Sequence, residues 1–353
     1  GTTVDNVANS GVAAGSLVNS PAWAGAGTFT AGTSTLKMTG AGKSLNYLSG
    51  EELGHLLIDN SSGTVTASVL TGTNNLTVLS LTVNDSSASF TAPAGTLTIT
   101  GKNASNYIID LDGVFVHSSG TVKIDTSLTG DKLLDIIPSS GTGLNNLITN
   151  EDGSGVIQYN GNSTIAGNLT VEEGTLHGYD YNNSELTVTG DVTVESGGTL
   201  GVSNQTGACS FGSLTINSGG TYVATSGTTT ITKTSATAGH SGQPSAIEVK
   251  SGGTFTNNDG TVLLSSAYDQ DLEFDGTGNM HHLTINKSDN DVIHNSDLTI
   301  EGDLSITLAT AHTFRPNTGS RTLSVTGDVT IVEGKLGDIT NYTGAISFGS
   351  LEI

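Results

Sequence analysis

Closely spaced aspartates are the residues of this chain best suited to chemistry. Carboxylates two positions apart on an extended strand share a face, where they can act as an acid and base pair or bind calcium. Lys287 is the one basic residue beside any of these acids in the sequence. The acids are equally typical of solvated turns, and we expect that structural role. The alternative is a calcium site, for which the candidate ligands are Asp110, Asp112, Asp289 and Asp291. A third acidic segment contains Asp269, Asp271 and Asp275. We predict no catalytic residue and no cofactor.

Two tyrosines and a histidine pair are further candidates for ligand contact. Tyr179 and Tyr181 lie two apart in HGYDYNN, so on a strand they would share a face and could stack on a sugar. His281 and His282 are adjacent and would point to opposite faces of a strand, which argues against a shared metal. We expect core or rim packing for the tyrosines and a polar structural role for the histidines.

Cys209 is the only cysteine of the 353 residues, so it cannot form an intrachain disulfide. Its counterpart in a sequence repeat is Ile346, in ACSF against AISF. A position that accepts either residue is typical of a buried apolar site. We therefore predict a buried, unreactive thiol.

Composition excludes several functional classes. The chain carries 33 acidic and 11 basic residues, a formal net charge of −22, which cannot supply the basic face of a nucleic-acid-binding protein. It contains 48 glycines and only 12% charged residues, unlike a coiled coil or helical bundle. No apolar run is long enough to span a membrane. These features predict a β-rich, acidic protein without membrane insertion.

Internal repeats give the strongest evidence on fold. The segment from Leu186 to Ile216 (LTVTGDVTV…FGSLTI) matches the segment from Leu323 to Ile353 (LSVTGDVTI…FGSLEI). Other copies relate Leu56 to Leu147 at an offset of 91 and Leu147 to Leu283 at 136. We interpret these offsets as whole multiples of a unit of about 22.7 residues, which gives about fifteen coils in all. Leu56, Leu147 and Leu283 should then lie on one line through the core.

Triplets such as LTV, VTV and LTI alternate apolar and polar residues, which is typical of strands with one buried face. Short Gly-containing corners such as TGD separate them. We predict an all-β fold, a right-handed parallel β-helix (solenoid) with coils of about 21–25 residues. Residues 1–26, which include Trp23 and lack the coil pattern, should form a cap or junction. Residues 27–353 should form the solenoid, with Leu351–Ile353 as a strand, and we expect the solenoid to continue beyond Ile353.

The phrases GTF-x(4)-GTV, LTIN-x(5)-V, DLTI-x-GDL-x-I and TLSVTGDVTI resemble the repeats of haemagglutinin-like adhesins and of β-helical phage tail fibres or spikes. The resemblance implies an extracellular, cell-surface or virion location. It implies partners among further copies of the chain, neighbouring fibre subunits or glycans. It transfers no catalytic residue.

Three functions remain open from the sequence. The first is a non-enzymatic structural rod in a fibre, adhesin or virion appendage. The second is a carbohydrate-binding or polysaccharide-degrading β-helix, which would need acids and a base that converge in a groove. The third is an adhesin of tandem β-sandwiches, which the unequal repeat offsets disfavour.

Overall fold

The computed structural model describes residues 3–5, 16–17, 32–39, 42–48, 52–60, 63–71, 74–137, 140–141, 143–180, 184–232, 245–317, 321–337 and 344–353. These residues form strands joined by turns and no helix, so none of them belongs to a helix able to cross a membrane. Parallel strands stack as a β-solenoid of about 12 turns. This confirms the predicted all-β parallel fold and excludes tandem sandwiches.

Residues 1–168 form one compact unit whose strands lie on three faces. Among the described residues, successive strands follow the order face A, face B, face C from His55 onwards. Face A holds Thr3–Asp5, Thr35–Met38, His55–Ile58, Ser80–Val83, Tyr107–Leu111, Lys132–Asp135 and Val156–Tyr159. Face B holds Ser16–Leu17, Lys43–Leu48, Thr64–Thr71, Ser89–Thr91, Val114–Val116 and Ser140–Gly141, and the short strand Ser163–Ile165 bridges to Leu144. Face C holds Leu76–Val78, Thr96–Ile99, Thr121–Thr126 and Asn146–Glu151.

Residues 169–353 form a second compact unit, also with three faces. Leu169–Gly178 runs over faces E and F, whereas Leu186–Val194 and Cys209–Ile216 run over faces D and E. Face D continues with Thr228–Ile231, Thr261–Leu264, His282–Lys287, Leu304–Leu308, Asp328–Glu333 and Ser350–Glu352. Face E continues with Ile247–Val249, Gln270–Phe274, Val292–His294, Thr313–Pro316 and Lys335–Leu336. Face F continues with Gly198–Leu200, Thr221–Val223, Thr254–Thr256, Leu298–Ile300, Leu323–Val325 and Ile346–Ser347.

The alternation of aliphatic and polar residues produces these faces. In strands such as Leu76–Val78 and Leu298–Ile300 the two aliphatic residues are buried and the threonine between them is half-exposed. Aliphatic side chains of successive coils meet in register and form inward columns. On face A the column is Leu36, Leu56, Leu81, Ile109, Leu134 and Tyr159, and every member is buried.

Aromatic residues extend the same columns on other faces. Tyr222 and Phe255 pair in register on face F, with ring centroids 5.5 Å apart. Phe211 and Phe274 contact the two ends of this pair at 6.0 and 5.5 Å. Because aromatic pairs at these separations stabilise beyond the area they bury, this row adds to the cohesion of neighbouring coils.

Coil length varies more than predicted. On face A the coil that joins Leu36 to Leu56 is short, whereas the coil that joins Leu81 to Ile109 is long. On face D the shortest coil joins Phe211 to Ile231, and the longest joins Ile231 to Leu264 directly after it. The predicted range of 21–25 is therefore too narrow, and longer coils reduce the predicted fifteen turns to about 12.

The prediction that repeat offsets are whole numbers of coils is wrong. Leu56 lies on face A and Leu147 on face C, three coils and two faces further along. Leu186 lies on face D, and its counterpart Leu323 lies on face F, five coils and two faces further along. Similar phrases thus occupy different faces, because all faces have the same chemistry of aliphatic residues inside and threonine outside.

The two repeat copies nevertheless contain equivalent local pairs. Leu186 pairs with Cys209, and Leu323 pairs with Ile346. The predicted terminal strand is present as Ser350–Glu352, paired with Asp328–Thr330. Of the predicted cap over 1–26, only Thr3–Asp5 and Ser16–Leu17 are described; both pair in parallel with later strands, and Trp23 lies outside the described residues.

Candidate functional site

Polar side chains at the corners join neighbouring coils. Each accepts the backbone N–H of a residue one coil further along, at 2.8–2.9 Å. We call these side chains the corner acceptors: Asn75, Asn146, Asp269, His282, Asp291, Asp297 and Asp303. Each stands at the first residue of a strand or just before it. Because corner N–H groups need an acceptor, many acids of this chain are part of the coil-to-coil bonding.

A polar cluster lies where three successive strands of face E begin. Gln270, Val292 and Phe314 are in register, so the residues that directly precede them, Asp269, Asp291 and Thr313, stack on one another. The 269–315 cluster consists of Asp269, Asp271, Lys287, Asp289, Asp291, His312 and Arg315. The sequence pointed to the aspartates and Lys287, but not to His312 and Arg315, which belong to the next coil.

Asp291 is the centre of the cluster. One carboxylate oxygen accepts the N–H of Thr313 at 2.9 Å and lies 3.6 Å from His312 Nδ1, while the other accepts from Arg315 Nε at 3.2 Å. Burial alone would raise the pKa of Asp291, but the Thr313 N–H and the Arg315 guanidinium outweigh it and hold the pKa below its usual value. Asp289 lies 3.0 Å from His312 Nε2. The acids therefore face basic groups of the protein itself.

Lys287 is buried within the same cluster and binds backbone oxygens. Its ammonium donates to the carbonyls of Tyr268 at 2.5 Å and Asp291 at 3.1 Å. Burial lowers the pKa of Lys287 to about 8, against the opposing effect of Asp269, Asp291 and the other nearby acids. The ammonium thus provides a positive charge among oxygens at the place where the sequence suggested calcium.

The hydrogen bonds of these acids join successive coils. Both oxygens of Asp291 have donors, and Asp269 accepts the N–H of Asp291 at 2.9 Å. Among the described residues, no group of three or more His, Cys, Asp or Glu side chains is arranged to hold a metal. Calcium at Asp289 and Asp291 remains a prediction.

Asp110 and Asp112 lie on and just after a strand of face A. Asp110 is half-buried and stacks in register between Thr82 and Asp135, while Asp112 is exposed. Burial raises the pKa of Asp110 to about 6, and the charges of Asp112 and Asp135 add to the rise. Asn160 donates to Asp135 at 3.3 Å. Asp110 and Asp135 thus form a column of like charges that ends at the amide of Asn160. Calcium binding at Asp110 and Asp112 also remains a prediction.

The histidine pair differs from the expectation of opposite faces. The rings of His281 and His282 contact each other edge to face, with centroids 4.3 Å apart, because His281 lies at the corner before the strand that begins at His282. His282 Nδ1 accepts the N–H of Asp303 at 2.9 Å, as a corner acceptor. Asn146, which the repeats align with His282, accepts the N–H of Asn168 in the same way. His282 thus has a polar structural role, as predicted.

Cys209 is buried in the core, whereas Tyr179 is exposed at the surface. Cys209 is buried between Leu186 and Thr229 in the face D column, and burial raises the pKa of its thiol to about 12. Tyr179 is 54% exposed, so its ring is accessible to a ligand. Tyr181 lies outside the described residues, and a sugar contact of the two rings remains a prediction.

A buried ion pair escaped the sequence reasoning. The side chains of Lys132 and Glu151 are fully buried, with Nζ 2.9 Å from Oε2. Lys132 also donates to the carbonyls of Leu128 and Gly130, and Glu151 accepts from the Thr126 hydroxyl. The strand KLLD alternates inward and outward residues, and this alternation places Lys132 on the inward side with Leu134. That pattern could have predicted a buried lysine.

Comparison of the chain with protein-family models, curated proteins and solved structures gave no match. The resemblance to adhesins and tail fibres therefore stays an expectation from the repeats.

Proposed function

We propose that this chain is a non-enzymatic structural protein, a stiff extracellular β-solenoid that forms part of a fibre, adhesin or virion appendage. The coil-to-coil bonding carries the proposal. Strands pair in parallel from one coil to the next, inward columns such as Leu36 to Tyr159 bury aliphatic side chains, and corner acceptors bond the backbone between strands. Each coil is held by its neighbours, which is how solenoids gain stiffness.

The polar groups support the same role. Asp291 of the 269–315 cluster is engaged by Thr313 and Arg315, and Asp289 by His312, so this cluster of titratable groups joins successive coils to one another. The net charge of −22 keeps such molecules soluble and mutually repulsive. Threonine on the outside of the strands provides an uncharged polar surface between the charged corners.

Mechanical unfolding of the full chain, held by its ends, tests the structural role. A stiff solenoid should resist load and then lengthen in discrete steps of one coil. Since an extended residue spans about 3.3–3.6 Å, each coil should release roughly 70–120 Å. The variant Asp291→Ala, which removes a corner acceptor, should lower the force of its step, whereas Asp275→Ala at an exposed turn should not. Smooth extension at low force would contradict the proposal.

Enzymatic turnover is the competing outcome. Incubation of the chain with a set of bacterial polysaccharides, followed by measurement of new reducing ends, should give no product above a heat-denatured control. Sustained release of oligosaccharides would refute a non-enzymatic role.

Antibody labelling of intact cells or particles of the source tests the proposed location, which requires the chain to be accessible from outside.

A further inference from the structure

An open groove of about 510 Å³ lies on the outside of face A. Thr35, His55, Ser80 and Thr82 form its floor, and Asn103 and Ser105 form its wall. We call it the face A groove. Its volume falls within the range typical of small-molecule sites, about 300–1,000 Å³.

The floor consists of outward side chains from three successive strands. Thr35, His55 and Ser80 stand opposite one another in register, and Leu57 and Thr82 follow two positions further along the strands. Parallel strands are spaced about 4.8 Å apart, so the floor presents a regular array of polar groups.

The wall is built by a coil of unusual length. The coil from Leu81 to Ile109 contains more residues than the coil before it, which begins at Leu56, or the coil after it, which ends at Leu134. The extra residues form a short rim before Tyr107. Asn103 holds the rim by accepting the N–H groups of Ser105 and Tyr107 at 2.9 and 3.0 Å, and Asn106 reverses the chain at φ 69°. The groove is thus a fixed feature of the coil.

The groups in the groove are polar but uncharged. His55 Nδ1 is 2.8 Å from Ser80 Oγ, and burial lowers the pKa of His55, which favours the neutral ring. Its other nitrogen and the hydroxyls of Thr35 and Thr82 have no hydrogen-bond partner among the described residues. The lining itself contains no charged side chain. The nearest charges in register are Lys37 beside Leu57, which is paired with Asp59 at 2.6 Å, and Asp110 beside Thr82. An apolar ligand would leave the polar groups of the groove unpaired at a cost of about 1–3 kcal/mol each.

We infer that the face A groove binds an uncharged, polyhydroxylated ligand, that is, a neutral saccharide. Sugar hydroxyls both donate and accept, which matches threonine hydroxyls and a neutral imidazole. The C–H surfaces of a sugar ring can pack on Leu57 and on the threonine methyl groups. This site is separate from Tyr179, and the proposed structural function does not depend on it.

Titration of the full chain with neutral hexasaccharides of glucose, xylose and N-acetylglucosamine tests the inference, with hexagalacturonate as the charged comparison. Isothermal calorimetry should detect saturable binding of at least one neutral hexasaccharide and weaker binding of hexagalacturonate. Thr35→Val and Thr82→Val should each weaken binding at least fivefold, because each removes a hydroxyl and preserves the shape and strand preference of the side chain.

Thr98→Val is the matched control, since Thr98 is a half-exposed strand threonine on face C that does not line the groove. It should leave binding unchanged. Thermal melting of all three variants should match the parent chain, which separates lost binding from lost folding. The inference is overturned if no neutral hexasaccharide binds, if Thr82→Val and Thr98→Val bind equally, or if hexagalacturonate binds as tightly.

Discussion

Asp110 allows a quantitative test of the stacked acids. Its carboxylate is half-buried beside Asp135 and Asp112, and its pKa rises from 3.8 to about 6. Because the folded state binds the proton more tightly than the unfolded state does, ionised Asp110 destabilises the fold above pH 6. This destabilisation is relieved as the pH falls from 6 towards 3.8.

The size of the effect follows from the shift. A shift of about two pKa units corresponds to about 3 kcal/mol in the free energy of unfolding. Solvent screening at this half-exposed site reduces the figure to about 1 kcal/mol. Asp110→Asn should therefore raise the free energy of unfolding at pH 7 by about 1 kcal/mol and leave it unchanged near pH 3.5, where the parent residue is protonated as well.

Urea denaturation of the parent chain and of Asp110→Asn at both pH values measures this difference directly. Asp112→Asn is the control: it should give a smaller gain at pH 7, because burial at Asp110 itself is the larger cause of the shift. The reasoning fails if Asp110→Asn gives no gain at pH 7, if the gain is equal at both pH values, or if Asp112→Asn gains as much.

Three further experiments test the packing of buried residues and glycines. Cys209, whose thiol pKa is raised to about 12 by burial, should react with iodoacetamide far more slowly in the native chain than in urea; rapid native labelling would contradict its core position. Lys132→Met should lower the free energy of unfolding by about 3–5 kcal/mol by stranding the buried Glu151 carboxylate, and adding Glu151→Leu should recover part of that loss in urea melts. Gly278→Ala should lower the melting temperature more than Gly130→Ala does. Both glycines have positive φ, but only at Gly278 would a Cβ overlap a backbone oxygen, that of Phe255. Equal shifts in melting temperature would contradict that contact.

The strands could be predicted from the sequence because their pattern is local. Alternating triplets such as that of Leu298–Ile300 identify the inward residues directly, and the repeat match of Cys209 with Ile346 places both in equivalent pairs. The face on which a triplet lies could not be predicted, since all faces have the same pattern. The unequal lengths of successive coils, such as the two that meet at Ile231, hide the register further.

The candidate sites depend on that hidden register. Arg315 reaches Asp291 only because Thr313–Pro316 stacks on Val292–His294. Thr35, His55 and Ser80 meet for the same reason, although each belongs to a different coil. No spacing rule along the chain predicts such contacts when the coil length changes from turn to turn.

The rotated repeats have a consequence for how such a molecule can lengthen. Leu186 and Leu323 begin near-identical phrases on different faces, so a duplicated segment did not need to contain a whole number of turns to be accommodated. The addition of one strand with its corner is enough to move a later phrase to the next face. Genetic duplication can therefore add material in thirds of a turn, and each addition moves every later side chain to a new side of the molecule. Surface features such as the groove can be redistributed in this way while the interior keeps the same composition.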